Sequence, residues 1–445
     1  MFRTNKDELT MEDIEGYIKR FKQERDRILK LKEYYLGKHD ILIRDDKKDT
    51  APDNRLINSF PKYITDMHVG YFVGQPILYS ANDLKSEDDD ALLEKLMDIF
   101  KYNDEQEENL ELAKMCSITG KAYELMWVDD DANVRFNYID PAEMFVIYDT
   151  SIEKKILYAV RFYEYEDAGV KTRYVEVYDD RRVRYYEGVG GLKLAKEVPH
   201  YYGDVPVILY ENNAEQRGDF ESVMSLIDAY DLSASNTLND MEQFTDAYLV
   251  LVNMLGTDDE DVEKLKEDRV LLIDDNGDAK WLIKDVNDAW VENYKNRLKA
   301  DIHKFSYTPD MTDENFGSNL SGVSLRYKLL AMEQLRSNKE RKFKKGLQRR
   351  IELICNFLKI TNKELTYTGI DMQFNNTLPI NVLETAQIIS TLSPFLSKET
   401  LIEQLPFVEN AAEELEKKEA EDDYSEDYSD LIEGHDDKEQ EVRQR

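Results

Sequence analysis

Along this chain the longest run of regularly spaced apolar residues lies in the C-terminal half. Leu329, Met332, Leu335, Phe343, Leu347, Ile351, Ile354 and Leu358 recur at spacings of three, four or twice four, which predicts one long helix over 323–360. Ser321 is its expected N-cap, and Gly346 is the one helix-weakening residue inside it. The preceding stretch, YTPDMTDENFGSNLSG at 307–322, has no apolar period of either kind. With Pro309, Gly317 and Gly322 it predicts a long, mobile loop. Upstream, Val223, Ile227, Tyr230, Ala234, Met241, Phe244 and Tyr248 hold a heptad-like register for roughly six turns or more, predicting a helix through 221–253. A second helix at 288–305 returns towards the loop, and the pair is expected to be too long to bury its faces on one subunit. The insert between them reads as α+β. It has an acidic helical piece (DDEDVEKLKED) and strands RVLLID and AKWLIK, joined by a hairpin turn at Asn276-Gly277.

The N-terminal half begins with a helix at 11–36, whose Tyr17, Phe21, Ile28, Leu31 and Tyr35 mark a packing face, and a loop at 37–54. A helix at 57–72 breaks at Gly74-Gln75-Pro76 into a strand, ILYS, and 84–116 is read as a return to helix. Past Gly120, Tyr123, Leu125 and Trp127 alternate as in a strand. Strand signals continue through VRFNYID, EMFVIYD, ILYAVRFYEYE, TRYVEVYD, RVRYYEG and VPVILYENN. After the long helix come a strand in LTYTGIDMQFNN and helices in LETAQIISTLSPFL and SKETLIEQL. From Glu409 the chain is nearly all charge with Ser and Tyr, which predicts a mobile acidic tail.

Charge changes this picture. The 445 residues carry a net charge of −34, which argues against a protein that coats nucleic acid. The long helix runs the other way, with Arg326, Lys328, Arg336, Lys339, Arg341, Lys342, Lys344, Lys345, Arg349 and Arg350 against Glu333, Glu340 and Glu352. Those cations are expected to meet either acidic neighbours or DNA. The two cysteines, Cys116 and Cys355, suggest a reducing compartment without a disulfide framework. No signal-peptide core and no membrane-length apolar run is visible, so the expectation is a soluble protein made in the cytoplasm, without membrane partners. Searches for chemistry return little. Gly120-Lys121 lacks the other residues of a phosphate loop, and no GxSxG or HExxH occurs. The five histidines (His39, His68, His200, His303, His435) are scattered. The reading is a non-enzyme with no catalytic residues, no metal and no cofactor.

The stretches GQPILY, TGKAYELMWVDDD, FNYIDPAEMFVIYD, VPVILYENN, DFESVMSLIDAYDLSASNTLND and, above all, YTPDMTDENFGSNLSGVSLRYKLLAMEQ resemble the portal proteins of tailed double-stranded-DNA bacteriophages, of the siphophage type. The resemblance covers roughly 55–375. It implies an α+β portal fold assembling as a ring of about twelve subunits at one capsid vertex of the virion. Under it, 1–54 is an N-terminal helical arm, 55–220 with 361–380 the wing, and 221–253 and 288–305 the stem. Residues 254–287 are the clip, 306–322 the tunnel loop, 323–360 the long helix, 381–410 the crown and 411–445 the disordered tail. The implied channel residues are Asp310, Met311, Asp313, Glu314, Asn315, Phe316, Asn319 and Gly322 in the loop. Lys295, Arg297 and Lys299 are the candidate basic residues of the stem lumen, and Trp281, Asn276 and Gly277 the candidate clip contacts. The implied partners are double-stranded DNA, the terminase packaging motor, a head-completion or adaptor protein, and capsid and scaffolding proteins. A ring-forming translocase or nuclease subunit without a recognisable nucleotide site is the alternative.

Overall fold

The computed structural model describes residues 1–45, 52–81, 87–167, 169–244, 248–252, 278–282, 288–312, 322–359, 367–375 and 382–402, with isolated positions between 405 and 418. Two units share the chain: Met1–Asp313 with Lys328–Thr377, and Glu314–Tyr327 with Leu378–Arg445.

In the first unit, α1 (Met11–Tyr35) starts at a capping box. Thr10 Oγ1 accepts from the Asp13 N–H, and the Asp13 carboxylate accepts from the Thr10 N–H. Its apolar face buries Ile14, Tyr17, Phe21, Ile28 and Leu31. Ile14, Tyr17, Phe21 and Ile28 pack on Phe145, Ile147, Tyr158 and Val177 of a six-stranded sheet. That sheet has the order β1-β5-β6-β7-β8-β9, from β1 (Phe2–Arg3), β5 (Met144–Tyr148), β6 (Ile156–Asp167), β7 (Val170–Tyr178), β8 (Arg182–Gly188) and β9 (Lys193–Pro199). All neighbours are antiparallel except β1 and β5. A second sheet has the order β10-β3-β4, from β3 (Lys121–Val128), β4 (Val134–Ile139) and β10 (Val207–Glu211). β3 is covered on both sides: Ala122 and Met126 join one core, Tyr123 and Leu125 another. β2 (Leu78–Ala81) pairs antiparallel with β13 (Ile370–Gln373).

Several expectations need correction. The helix read over 84–116 is two, α3 (Glu87–Tyr102) and α4 (Glu105–Thr119). The chain turns between them at Asp104, with φ +50°. The Asn103 amide fixes that turn by donating to the carbonyls of Ile99 and Val134. α4 stops at Gly120 (φ +91°), where a Cβ would stand 2.1 Å from the Gln216 carbonyl oxygen. α2 (Phe60–Val73) begins three residues later than expected. β1 and β9 gave no alternating pattern, because β1 is two residues long and β9 is exposed throughout.

The helix read over 221–253 is shorter as well. After one 3-10 turn, α5 runs Met224–Phe244, and Tyr248–Val252 is strand β11, paired antiparallel with β12 (Asp278–Leu282). Valines at 250 and 252 suit that ladder better than a seventh helical turn. AKWL therefore pairs with YLVLV, while RVLLID and the Asn276-Gly277 turn lie outside the described residues. α6 (Asp288–Phe305) forms as predicted. The two helices are also better covered than expected. Ile227 is fully buried among Leu31, Tyr34, Ile64, Phe220 and Ile302, so it belongs to the subunit's own core. An extended segment is pinned along α5 by alternate backbone N–H groups: Asn58 to Asp231, Leu56 to Ser235 Oγ and Asn54 to Asn239, at 2.8, 2.9 and 2.6 Å. Two residues of extended chain rise about as far as four of helix, so the ladder stays in step. Leu232, Met241 and Trp290 remain exposed on the pair.

α7 (Gly322–Leu358) confirms the long helix. Gly346 sits within it because its neighbour is Tyr210: a Cβ there would lie 2.4 Å from the ring. In the second unit, α8 (Val382–Leu392) and α9 (Lys398–Ile402) form where the sequence placed helices, and the acidic tail read over 411–445 lies outside the described residues apart from isolated positions up to 418.

Candidate channel loop and basic helix

The expected channel loop leaves α6 through a left-handed Tyr307 (φ +56°), whose neighbour Thr308 donates its N–H to the His303 carbonyl. α2 holds the root of the loop. His68 Nε2 stands 3.1 Å from both the Ser306 carbonyl and Thr308 Oγ1. Tyr63 donates its hydroxyl to the Pro309 carbonyl (2.8 Å) and accepts the Met311 N–H (3.2 Å). Burial, and then the Lys339 ammonium, push the His68 imidazole down to about 4, so it is neutral at pH 7.

Two sets of expected residues meet at this root. Asp310, read as a free anion, lies 2.7 Å from Lys299, read as a free cation. Asp310 also accepts from the N–H and Oγ1 of Thr312 at 3.0 and 2.6 Å. Burial acts to raise its carboxyl, but the bonds from Lys299 and Thr312 outweigh this and hold it at about 2. Each therefore largely cancels the other's charge. Lys295 pairs with Glu292 at 3.0 Å on the same helical face as Lys299. Arg297, about 200° round from Lys295, is 81% exposed and only 3.7 Å from Asp301. The three basic stem candidates thus do not share one face. Lys299, His303, Lys304, Tyr307, Asp310 and Lys328 line a cavity of about 540 Å3. Asp313, Glu314, Asn315, Phe316 and Asn319 lie outside the described residues, as do Asn276 and Gly277. Gly322 is the first residue of α7, and Trp281 lies in β12 opposite Leu249.

The cations of α7 differ most from expectation. Five are held by acids of their own chain. Arg336 bridges Glu333 and Glu340; Lys339 pairs with Asp219; Lys342 lies 2.9 Å from Glu211; Arg349 joins Asp204 and Glu352. Burial acts to raise the Asp219 carboxyl, but the Lys339 ammonium, with the Ser117 hydroxyl, holds it below the ordinary carboxylate range. Arg350 is fully buried, 2.6 Å from Glu124 and 2.9 Å from Glu105 and Asn109, with its guanidinium 4.6 Å above the Phe136 ring. Tyr210 donates to Glu124, and Tyr79 and Asn109 donate to Glu105. Within the chain, Arg350 ties the long helix to α4 and β3, and Lys342 ties it to β10. Sequence carried one hint, because Arg350 falls between Leu347 and Ile354 on the apolar face. Among the described residues no cluster of His, Cys, Asp or Glu is arranged to hold a metal, and no helix is long and apolar enough to cross a membrane.

The class defined by this architecture is a mixed helix-and-strand subunit: a β-rich body, a helix pair leading to a two-stranded ribbon, and one long helix clamped by ion pairs. The chain belongs to the family described as "Phage portal protein, SPP1 Gp6-like", whose profile matches residues 14–428. It is similar to the portal protein of Bacillus phage SPP1, 27% identical over 84% of this chain and 77% of that one. It is also similar to the portal protein of Clostridium phage phiCD119, 25% identical over 92% of this chain and 95% of that one. A solved structure described as "Neck of empty GTA particle computed with C6 symmetry" aligns with a TM-score of 0.46 and 10% identity, over 77% of this chain and 88% of that one.

Proposed function

We propose that the chain is the ring-forming subunit of a DNA channel at one capsid vertex, with about twelve copies around the axis. In this reading it docks the terminase motor, passes and retains the genome, and joins head to tail through an adaptor protein, without catalysing a reaction. The observation that carries it is the family match across 14–428. Residues 55–220 and 361–380 are the wing, α5 and α6 the stem, 254–287 the clip, 306–322 the tunnel loop and 381–410 the crown. β12 belongs to the clip, paired with β11 at the end of the stem segment, and the clip's Trp281, Asn276 and Gly277 meet the motor or adaptor. Scaffolding and capsid proteins contact the outer faces of the ring.

The physics of a conduit favours the charge seen. Each phosphate neutralised adds affinity that would stall sliding, so a negative wall with few free cations lets DNA pass. With Asp310 occupied by Lys299, the repulsion in the loop falls to Asp313 and Glu314, and Arg297 is the stem cation most available to phosphate. Negative-stain microscopy of the purified protein tests the ring: particles with a central channel are expected, and a population of monomers alone refutes it. The loop is tested by packaging, measured as filled heads at low and high salt. Asp313→Lys with Glu314→Lys should slow filling in a salt-relieved way. Gly322→Pro keeps a residue tolerated at a first helical position but fixes the hinge, and should impair filling without affecting assembly. Wild-type filling by both refutes the assignment of the loop.

A further inference from the structure

One concavity runs against the charge of the rest of the chain. A cleft of about 1,230 Å3 opens among α1, β5, the 153–156 turn, the start of β3, β10 and α7. Nine lysines and arginines line it against five aspartates and glutamates, a surplus of four positive charges in a chain of net charge −34. Three of those acids are engaged: Glu24 by Lys121 and Arg27, Glu211 by Lys342, and Asp204 by Arg349 and Lys155. Arg217 is held by Glu221, and these pairs leave Arg20, Lys154 and Lys345 against Glu153 and Glu215. Lys154 and Lys345, both exposed at the mouth, have no ion pair among the described residues. The floor is aromatic, with Phe21, Phe145, Tyr123 and Tyr148. Tyr123 and Tyr148 are only 2% and 9% exposed, and their hydroxyls have no hydrogen-bond partner among the described residues. Such a cleft suits an apolar tip flanked by carboxylates.

The other end of β3 has that composition. Trp127 and Val128 are 39% and 36% exposed and run into the turn Asp129-Asp130-Asp131. Asp129 is used locally, accepting the N–H groups of Asp131 and Asn133, while Asp130 and Asp131 face solvent. β3 has eight residues, so the cleft end and the tip lie roughly 23 Å apart. A closed ring requires this kind of arrangement: two different, complementary patches on separated flanks of each copy.

We propose that the β3–β4 tip of a second copy of this chain docks into the cleft, with Trp127 on the aromatic floor and Asp130 and Asp131 against Lys154 and Lys345. This rests on the ring reading above and names one of its subunit contacts. The test uses the full chain. Lys345→Cys with Asp130→Cys should give, on mild oxidation, a ladder of cross-linked oligomers; the native Cys116 and Cys355 are buried and should give none. In parallel, Lys154→Glu with Lys345→Glu, or Asp130→Lys with Asp131→Lys, should raise the concentration for half-assembly about tenfold or more with an unchanged circular dichroism spectrum. All four changes in one chain should restore assembly to within about threefold of wild type. Wild-type rings that give no ladder and ignore the reversals would overturn this contact and assign the cleft to an acidic segment of another protein. Wild-type protein that never assembles would overturn the ring reading together with this contact.

Discussion

Arg350→Met is the most severe single change expected in the body of the subunit. The arginine is fully buried and makes four bonds: Nη2 and Nε to Glu124 at 2.6 and 3.0 Å, and Nη1 to Glu105 and Asn109, both at 2.9 Å. Methionine fills a similar volume, so the cavity cost is small and the electrostatic cost dominates. Glu105 and Glu124 would stay buried without a counter-ion, the situation that costs about 3–5 kcal/mol when one partner of a buried pair is removed. Tyr79, Asn109 and Tyr210 still donate to them, so the lower half of that range, about 3–4 kcal/mol, is expected. The assay is urea denaturation of the variant and the wild type at pH 7 and pH 5. In the variant the stranded carboxyls have folded-state pKa values raised above their unfolded values. The folded state then binds more protons, and the variant regains stability relative to wild type as pH falls. Adding Glu124→Gln should recover about half of the loss at pH 7. A loss below about 1 kcal/mol, or one equal at both pH values, would refute the account of Arg350 as the counter-ion of this core.

Gly346→Ala gains up to about 1 kcal/mol of helix propensity but drives a methyl into the Tyr210 ring, so a net loss of about 1–2 kcal/mol is expected in the same denaturation assay. Tyr307→Gly, relieving a left-handed tyrosine, should raise stability by about 1 kcal/mol in the same assay. His68 is neutral in the fold, with its pKa lowered to about 4, whereas the unfolded chain binds a proton near the ordinary 6.5. Stability should therefore fall as pH drops through that window, by up to about 3 kcal/mol, and His68→Gln should flatten most of that slope in a pH series of melting curves. Leu232→Asp with Trp290→Asp alters exposed positions of α5 and α6, and is expected to leave subunit melting within about 1 kcal/mol of wild type while preventing rings, read by light scattering.

What sequence pattern conveyed, and what it did not, divides by distance along the chain. Sequence placed α6 at Asp288–Phe305, and apolar period placed the long helix within two residues of Gly322–Leu358. Both are local readings in which neighbours three and four apart decide the outcome. The same period misled at Tyr248: a heptad residue fell at the right spacing, yet the ladder with Asp278–Leu282 settled the conformation from about thirty residues away. Asp104 was invisible for a related reason, since its turn is fixed by the Asn103 amide reaching the Val134 carbonyl.

Charge was the least legible property. Ten cations and three acids on one helix invited a search for outside partners, but Lys339 meets Asp219 across 120 residues, and Arg350 meets Glu124 and Glu105 across 226 and 245. Composition counts charges and cannot say which of them are already paired. The Asp310–Lys299 pair makes the same point at the candidate loop, where two residues chosen for opposite actions on DNA hold each other instead. What distinguishes a cation available to a partner is therefore neither its abundance nor its helix but the absence of a carboxylate within reach. Lys345, about a turn and a half from the fully buried Arg350 and bearing the same formal charge, meets that condition among the described residues.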